Sequence, residues 1–272
     1  MAGIRARWQR AAFPIAAAVG IGVIGMSLES SFLYFPTRGL ASSPQAHGLR
    51  AEELALTAED GARLFGWWIH GEGKRAVLFF HGNAGNIADR LDRARMLHDR
   101  FGLDVFLVDY RGYGRSAGSP SEEGLYRDAR AVFAAARDRG FAPGQIVLFG
   151  ESLGSAVAIQ LASERPCAGV VLETPFLSIQ DMAREHYRMV PPFLIRSRYD
   201  SARRIAEVAA PKLFLVAESD EIAPPEQGRR LFELAPPPKT LYVIPGAHHN
   251  DTYVTGGEPY WAALSGFFAS LT

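Results

Sequence analysis

The sequence predicts an α/β domain built on a mostly parallel sheet buried on both faces, and three observations carry that expectation. From residue 76 onward, short apolar runs alternate with stretches of helical periodicity, the pattern of strands joined by crossover helices. Over 272 residues the chain is 48% hydrophobic and 21% charged, a balance that supports one large packed core. Finally, the residues able to do chemistry fall just past the apolar runs, where ligands of such sheets bind.

In chain order, Arg5, Arg7 and Arg10 precede an uncharged run over 11–28, "AAFPIAAAVGIGVIGMSL". Its length suits a helix spanning a hydrocarbon core, which takes about 17 to 25 residues. Phe32, Tyr34 and Phe35 of "FLYFP" follow, where an interfacial aromatic belt would lie. A single-pass anchor is favoured over a cleaved signal peptide, whose apolar stretch is normally shorter and whose cleavage site only Gly25-Met26-Ser27 weakly resembles; a buried helix is the third reading. The flanking arginines place the N-terminus in the cytoplasm and the body on the opposite side. Residues 1–36 are thus expected to be a cytoplasmic stub and membrane anchor, and 37–272 the folded domain.

The linker "RGLASSPQAHG" leads into "EELALTAEDGARLFGWWIHG", two apolar runs around Asp60-Gly61, which reads as a β-hairpin. Next come a strand over 76–80, a helix over about 86–100, a strand over 105–109 and a helix over about 122–139. A strand over 146–149, a helix over 153–164 and a strand over 169–173 continue the alternation. It resumes with a strand over 212–217, a helix near 225–234, a strand over 240–244 and a closing helix over about 258–271. The rhythm breaks across 174–211, where two prolines (Pro191, Pro192) sit in an apolar stretch that includes Phe193, Leu194 and Ile195. That insertion is either a short cap over a site at the strand ends or an ordinary helical crossover.

With 29 basic and 29 acidic residues, no global field favours nucleic acid. Cys167 is the single cysteine, so neither an internal disulfide nor a zinc-type cysteine pair is available.

The most informative stretch is "IVLFGESLGSAVAIQLA". Gly150-Glu151-Ser152-Leu153-Gly154 fits G-x-S-x-G directly after an apolar strand and at the start of a helix, the context of a nucleophile elbow. The helix start also offers N–H groups to an oxyanion, among them that of Leu153. Gly114-Arg115-Ser116-Ala117-Gly118 matches the same pattern but lies in a glycine-rich loop without a strand directly before it, so Ser152, not Ser116, is the nucleophile candidate. A second oxyanion donor is needed, and the turn in "VLFFHGNAGN" offers Asn83. His81 in that turn precedes the nucleophile and reads as structural.

A serine hydroxyl needs an imidazole as base and the imidazole needs a carboxylate, in the chain order serine, acid, histidine. "KLFLVAESDEIAPP" places Asp220 at the centre of a turn past a strand, with Glu173 as a reserve. His186 comes before that acid, which leaves His248 and His249 of "IPGAHHND"; residue reasoning alone does not separate the pair. A metal reading of the two is weak, because adjacent side chains diverge and no H-E-x-x-H accompanies them.

Taken in order, "FLYFPTR", "HGNAGN", "DYRGYGRSAGSPSEEGLYRDA", "GESLGSAVA", "ETPFLSI", "DEIAPP" and "HHND" resemble the α/β-hydrolase family, in particular its short membrane-anchored serine hydrolases of the serine aminopeptidase-like group. The resemblance extends over nearly the whole chain. It implies an α/β-hydrolase fold with a cap insertion, a Ser152–Asp220–His249 triad with the histidine directly before Asn-Asp as base, and neither metal nor organic cofactor. Hydrolysis of a small-molecule or lipid acyl ester or thioester is the implied activity. A serine aminopeptidase is the alternative within enzymes, and a non-catalytic membrane adaptor the alternative outside them. Ser155 stands where the family commonly has glycine, which raises the question of how closely strand and helix pack at the elbow.

Overall fold

The computed structural model describes residues 30–72, 74–186 and 195–271. The apolar run over 11–28 lies outside them, and among the described residues no helix is long and apolar enough to cross a membrane. The strands, in chain order, are β1 (Phe35–Pro36), β2 (Ala51–Thr57), β3 (Arg63–Ile69), β4 (Ala76–Phe80), β5 (Ala84–Gly85), β6 (Asp104–Val108), β7 (Ile146–Glu151), β8 (Gly169–Glu173), β9 (Lys212–Ala217) and β10 (Lys239–Ile244). All but β1 and β5 form one eight-stranded sheet in the order β10-β9-β8-β7-β4-β6-β3-β2. It runs parallel from β10 to β6, while β3 pairs antiparallel with both β6 and β2.

Pleating explains how such apolar strands serve two cores. Leu78, Phe80, Phe106 and Leu148 face the helices Glu122–Asp138 and Leu153–Glu164. Their neighbours Val77, Phe79, Leu107 and Phe149 face the helices Leu91–Phe101 and Gly257–Ser270. Because β4 lies between β6 and β7, the chain changes winding direction beside it. A crevice therefore opens at the carboxyl ends of β4 and β7, the switch point where ligands of open sheets bind.

Most elements fall within a residue or two of their expected limits. The hairpin forms about the turn in which Ala58 N–H donates to Ala62 O. The helix expected from 86 begins instead with a 3-10 turn, Ile87–Arg90, because the Asn86 side chain accepts from Ala88 N–H and caps it.

Two of the expected segment limits fall within packed structure. A boundary at residue 36 cuts into the body: β1 pairs with β5, and Tyr34 is buried with its hydroxyl 2.7 Å from that of Tyr199. Tyr34 therefore belongs to the core and not to an exposed aromatic belt, although Phe32 and Phe35 beside it are exposed. The insertion over 174–211 is not all cap either. Tyr199, Ile205 and Val208 are fully buried in the core, whereas the helix Ile179–His186 contributes no buried residue; residues 187–194, with most of the apolar proline stretch, lie outside those described.

Candidate active site

β7 delivers Ser152 at its carboxyl end, and the turn into the helix Leu153–Glu164 is abrupt. Ser152 has φ 52° and ψ −115°, a conformation costly for a residue with a side chain. Two hydrogen bonds fix it: Ser152 N–H donates to Glu173 O at 2.9 Å, and its own carbonyl accepts from Ser155 N–H at 2.8 Å. Ser155 Oγ also donates to Ser152 O at 2.6 Å, so the hydroxyl that replaces the family's glycine is absorbed by the elbow. Close approach depends on the neighbouring glycines instead. A Cβ on Gly150 would meet Gly154 O at 2.3 Å, and one on Gly154 would meet Phe80 O at 2.0 Å.

The loops after β9 and β10 bring the acid and a histidine to that elbow. His249 Nε2 lies 2.9 Å from Ser152 Oγ, and His249 Nδ1 lies 2.9 and 2.8 Å from the two Asp220 carboxylate oxygens. Asp220 is held in turn, because its Oδ1 accepts from Ile222 N–H at 2.9 Å and Ala223 N–H at 2.7 Å. Asp220 Oδ1 already accepts from two backbone N–H groups, so Nδ1 is the ring nitrogen placed to donate to this carboxyl group and Nε2 the one placed to accept Ser152 Oγ–H. His249 and Asp220 are buried while Ser152 is only partly so, which shields the pair and leaves the hydroxyl reachable.

The rival residues are placed elsewhere. His248 points outward to exposed Glu221, with Nδ1 3.2 Å from Oε2. His186 Nε2 meets Ile222 O at 2.7 Å. Glu173 faces away from the imidazole: its carboxylate accepts from Arg93 at 2.7 Å, from Tyr260 Oη at 2.7 Å and from Thr252 Oγ1. Ser116 Oγ donates to Asp109 O at 2.7 Å and accepts from Phe65 N–H at 2.9 Å, so the second G-x-S-x-G match holds a loop together. His81 is fully buried with Nδ1 2.8 Å from Gly82 O; burial pushes it down to about 3, which keeps the ring neutral.

The Leu153 N–H opens the helix and the Asn83 N–H lies in the turn after β4; neither has an acceptor among the described residues. The Asn83 side chain turns away, donating to Leu33 O at 2.9 Å.

Sequence reasoning missed a buried charged frame behind these loops. Glu151 pairs with Arg90 at 2.8 Å and with Arg93 at 3.8 Å, and Arg93 reaches Glu173. Burial works against the Glu151 carboxylate, but Arg90 and Arg93 outweigh it and hold the group at about 2. Glu151, inside the elbow motif, and Thr252, directly after "HHND", were the available signals; Arg93 and Tyr260 sit inside helices that look ordinary.

A family model described as serine aminopeptidase, S33, matches residues 71–202. The α/β-hydrolase domain-containing protein WAV2 of Arabidopsis thaliana is 35% identical over 278 residues, covering 89% of each chain. An uncharacterized membrane protein of Saccharomyces cerevisiae is 35% identical over 239 residues, covering 85% of this chain and 84% of its own. Among solved structures, an esterase of Pyrococcus furiosus superposes with a TM-score of 0.75 at 21% identity, over 88% of this chain and 98% of its own, a likeness of fold. With that fold, those relatives and an elbow at the end of β7, the chain belongs to the α/β-hydrolase family.

Proposed function

We propose that this protein is a serine hydrolase that cleaves carboxylic esters or thioesters through an acyl-enzyme. One observation carries the reading: Ser152 Oγ lies 2.9 Å from His249 Nε2 while Asp220 holds the opposite ring nitrogen at 2.8 Å. Ser152 Oγ attacks the acyl carbonyl as His249 Nε2 takes its proton, and Asp220 stabilises the imidazolium that forms. The Leu153 and Asn83 N–H groups receive the oxyanion. Collapse breaks the acyl–leaving-group bond, and His249 returns the proton to the departing alcohol or thiol. Water, activated by the same imidazole, then attacks the acyl-enzyme and frees the carboxylic acid and Ser152.

The test is labelling by a fluorophosphonate together with turnover of p-nitrophenyl esters. Ser152→Ala should lose both, with kcat down by about four to six orders of magnitude; retention of turnover and labelling would overturn the reading. Aminopeptidase activity is the second reading, favoured by the description of the matching family model. Aminoacyl anilides tested beside the esters separate the two, since amide cleavage needs the leaving amine protonated.

The run over 11–28 anchors this domain to a membrane with the N-terminus cytoplasmic and the catalytic body on the other side. Its length, its arginine flank and the membrane protein among the relatives support that reading. Protease added outside intact cells should digest the C-terminal domain and spare the first ten residues; the opposite pattern would reverse the orientation.

A further inference from the structure

Asn83, whose N–H the proposed mechanism gives to the oxyanion, has its backbone carbonyl and its side-chain amide nitrogen tied to the chain segment that follows the N-terminal apolar run. Asn83 Nδ2 donates to Leu33 O at 2.9 Å, and Asn83 O accepts from Phe35 N–H at 2.9 Å. Tyr113 Oη donates to the same carbonyl at 2.7 Å. Two residues further along each strand, Thr37 N–H donates to Gly85 O at 3.0 Å, and Asn86 Nδ2 donates to Gly39 O at 2.7 Å. The far side of the segment is pinned by buried Tyr34, whose hydroxyl is 2.7 Å from that of Tyr199.

The middle of the turn is built on flexible backbone. It runs through Gly82 and Gly85, the latter at φ +77°, and glycine backbone explores many conformations. An oxyanion donor stabilises developing charge only if it is aimed beforehand, because reorienting it during reaction costs the energy it would supply. Within the turn His81 Nδ1 lies 2.8 Å from Gly82 O, the carbonyl of the peptide that carries the Asn83 N–H; the remaining restraints come from outside the turn, and most of those come from residues 33–39.

We infer that the segment Leu33–Thr37 is a positioning strap for the oxyanion turn, so that the membrane-proximal chain is a working part of the active site and not a tether. This inference rests on the hydrolase reading above. Its residues are positioning residues: they touch Asn83, not the substrate. Loosening the strap should leave ground-state binding in place and withdraw stabilisation from the transition state, a loss read in kcat.

The test uses the full-length protein in detergent micelles and two substitutions at the contact. Asn83→Asp keeps the backbone N–H and the side-chain shape but replaces the donor to Leu33 O by an oxygen that repels it. Tyr113→Phe removes the hydroxyl on Asn83 O. Each should lower kcat for a p-nitrophenyl ester about 10- to 100-fold, below the loss expected for deleting an oxyanion donor outright, with KM changed by less than about twofold. Fluorophosphonate labelling of Ser152 should slow in parallel, because the phosphonyl oxygen occupies the same hole. The double variant should lose less than the product of the two single losses, since both release one turn.

A merely structural role would lower the melting temperature and leave kcat unchanged well below it, and that outcome overturns the strap. If Asn83→Asp does not fold, Phe35→Pro decides, since it removes the strap's own N–H on Asn83 O and leaves the residues of the turn unchanged; a normal kcat in Phe35→Pro overturns the strap. Ser152→Ala in the same assay separates the two levels. Full turnover by Ser152→Ala overturns the hydrolase reading and the strap with it. An inactive Ser152→Ala beside Asn83→Asp and Tyr113→Phe variants of normal kcat overturns the strap alone.

Discussion

Gly154 is where the elbow leaves least room, and an added methyl group there has a calculable consequence. A Cβ would stand 2.0 Å from Phe80 O and 2.5 Å from Phe80 C, both backbone atoms of β4 that cannot rotate aside. Carbon–oxygen contacts settle near 3.3 Å, so relief needs the helix Leu153–Glu164 to withdraw from β4 by about 1.3 Å. Ser152 directly precedes that helix, and the 2.9 Å contact between its Oγ and His249 Nε2 would shift with it. A misplacement of about 1 Å costs about 10²-fold in rate, and overpacking costs about 1–3 kcal/mol, a few degrees in melting temperature for a domain of this size. Gly154→Ala should therefore show kcat about 100-fold lower on a p-nitrophenyl ester, measured well below its lowered melting temperature. Gly144→Ala, where a Cβ meets nothing within 4 Å, is the matched control. Normal kcat and an unchanged melting temperature in Gly154→Ala would show that the elbow does not depend on this contact.

The two neighbouring histidines should separate cleanly. His249→Ala should lower kcat by about four orders of magnitude or more, whereas His248→Ala, which loses only an exposed pair with Glu221, should change it by less than about twofold; the reverse ranking would reassign the base. Acid stability should report on Glu151. Its carboxylate is held at about 2 against an ordinary 4.5, so its contribution is complete above pH 4.5 and disappears as pH falls toward 2, an upper figure of about 3 kcal/mol. Melting temperature should drop with acid more steeply in the native protein than in Glu151→Gln, and parallel curves for the two would rule the assignment out.

What could be read from the sequence follows from how local each determinant is. The strands over 76–80, 169–173 and 212–217 matched because a continuous apolar run needs only burial on both faces, and burial is visible in composition. The elbow was legible because its glycines are forced by steric contacts within a few residues, and the order serine, acid, histidine then limited the partners. Choosing between His248 and His249 needed the direction of each side chain in a loop without regular periodicity, and there the family resemblance had to stand in for geometry. β1 and β5 were invisible, since two-residue strands carry no pattern and their pairing joins residues 49 positions apart, Phe35 with Ala84. The same holds for Tyr34, whose partner Tyr199 lies 165 residues away: an aromatic cluster just after an apolar run reads as a membrane belt until that partner is known.

The buried frame shows why four separate loops meet at one point. Arg90 ends the 3-10 turn after β5, Arg93 lies in the helix that follows it, Glu151 belongs to the elbow, Glu173 ends β8, and Thr252 opens the short helix Thr252–Thr255 after His249. Arg90 and Arg93 face Glu151 and Glu173, with Asp89 3.7 Å from Arg90 at the exposed edge, so each charge of the cluster depends on an opposite charge brought by another segment. Leaving any one of these charges buried and alone costs about 3–5 kcal/mol, a penalty large beside the net stability of a domain. Arrangements in which one loop is displaced are therefore disfavoured together, and the arrangement that remains holds the Ser152 amide on Glu173 O while Thr252 ties the histidine loop to the same residue's carboxylate. Glu173, read from the sequence as a reserve acid for the imidazole, instead joins the Ser152 backbone to the segment after His249, without direct contact with the His249 ring or the Ser152 hydroxyl.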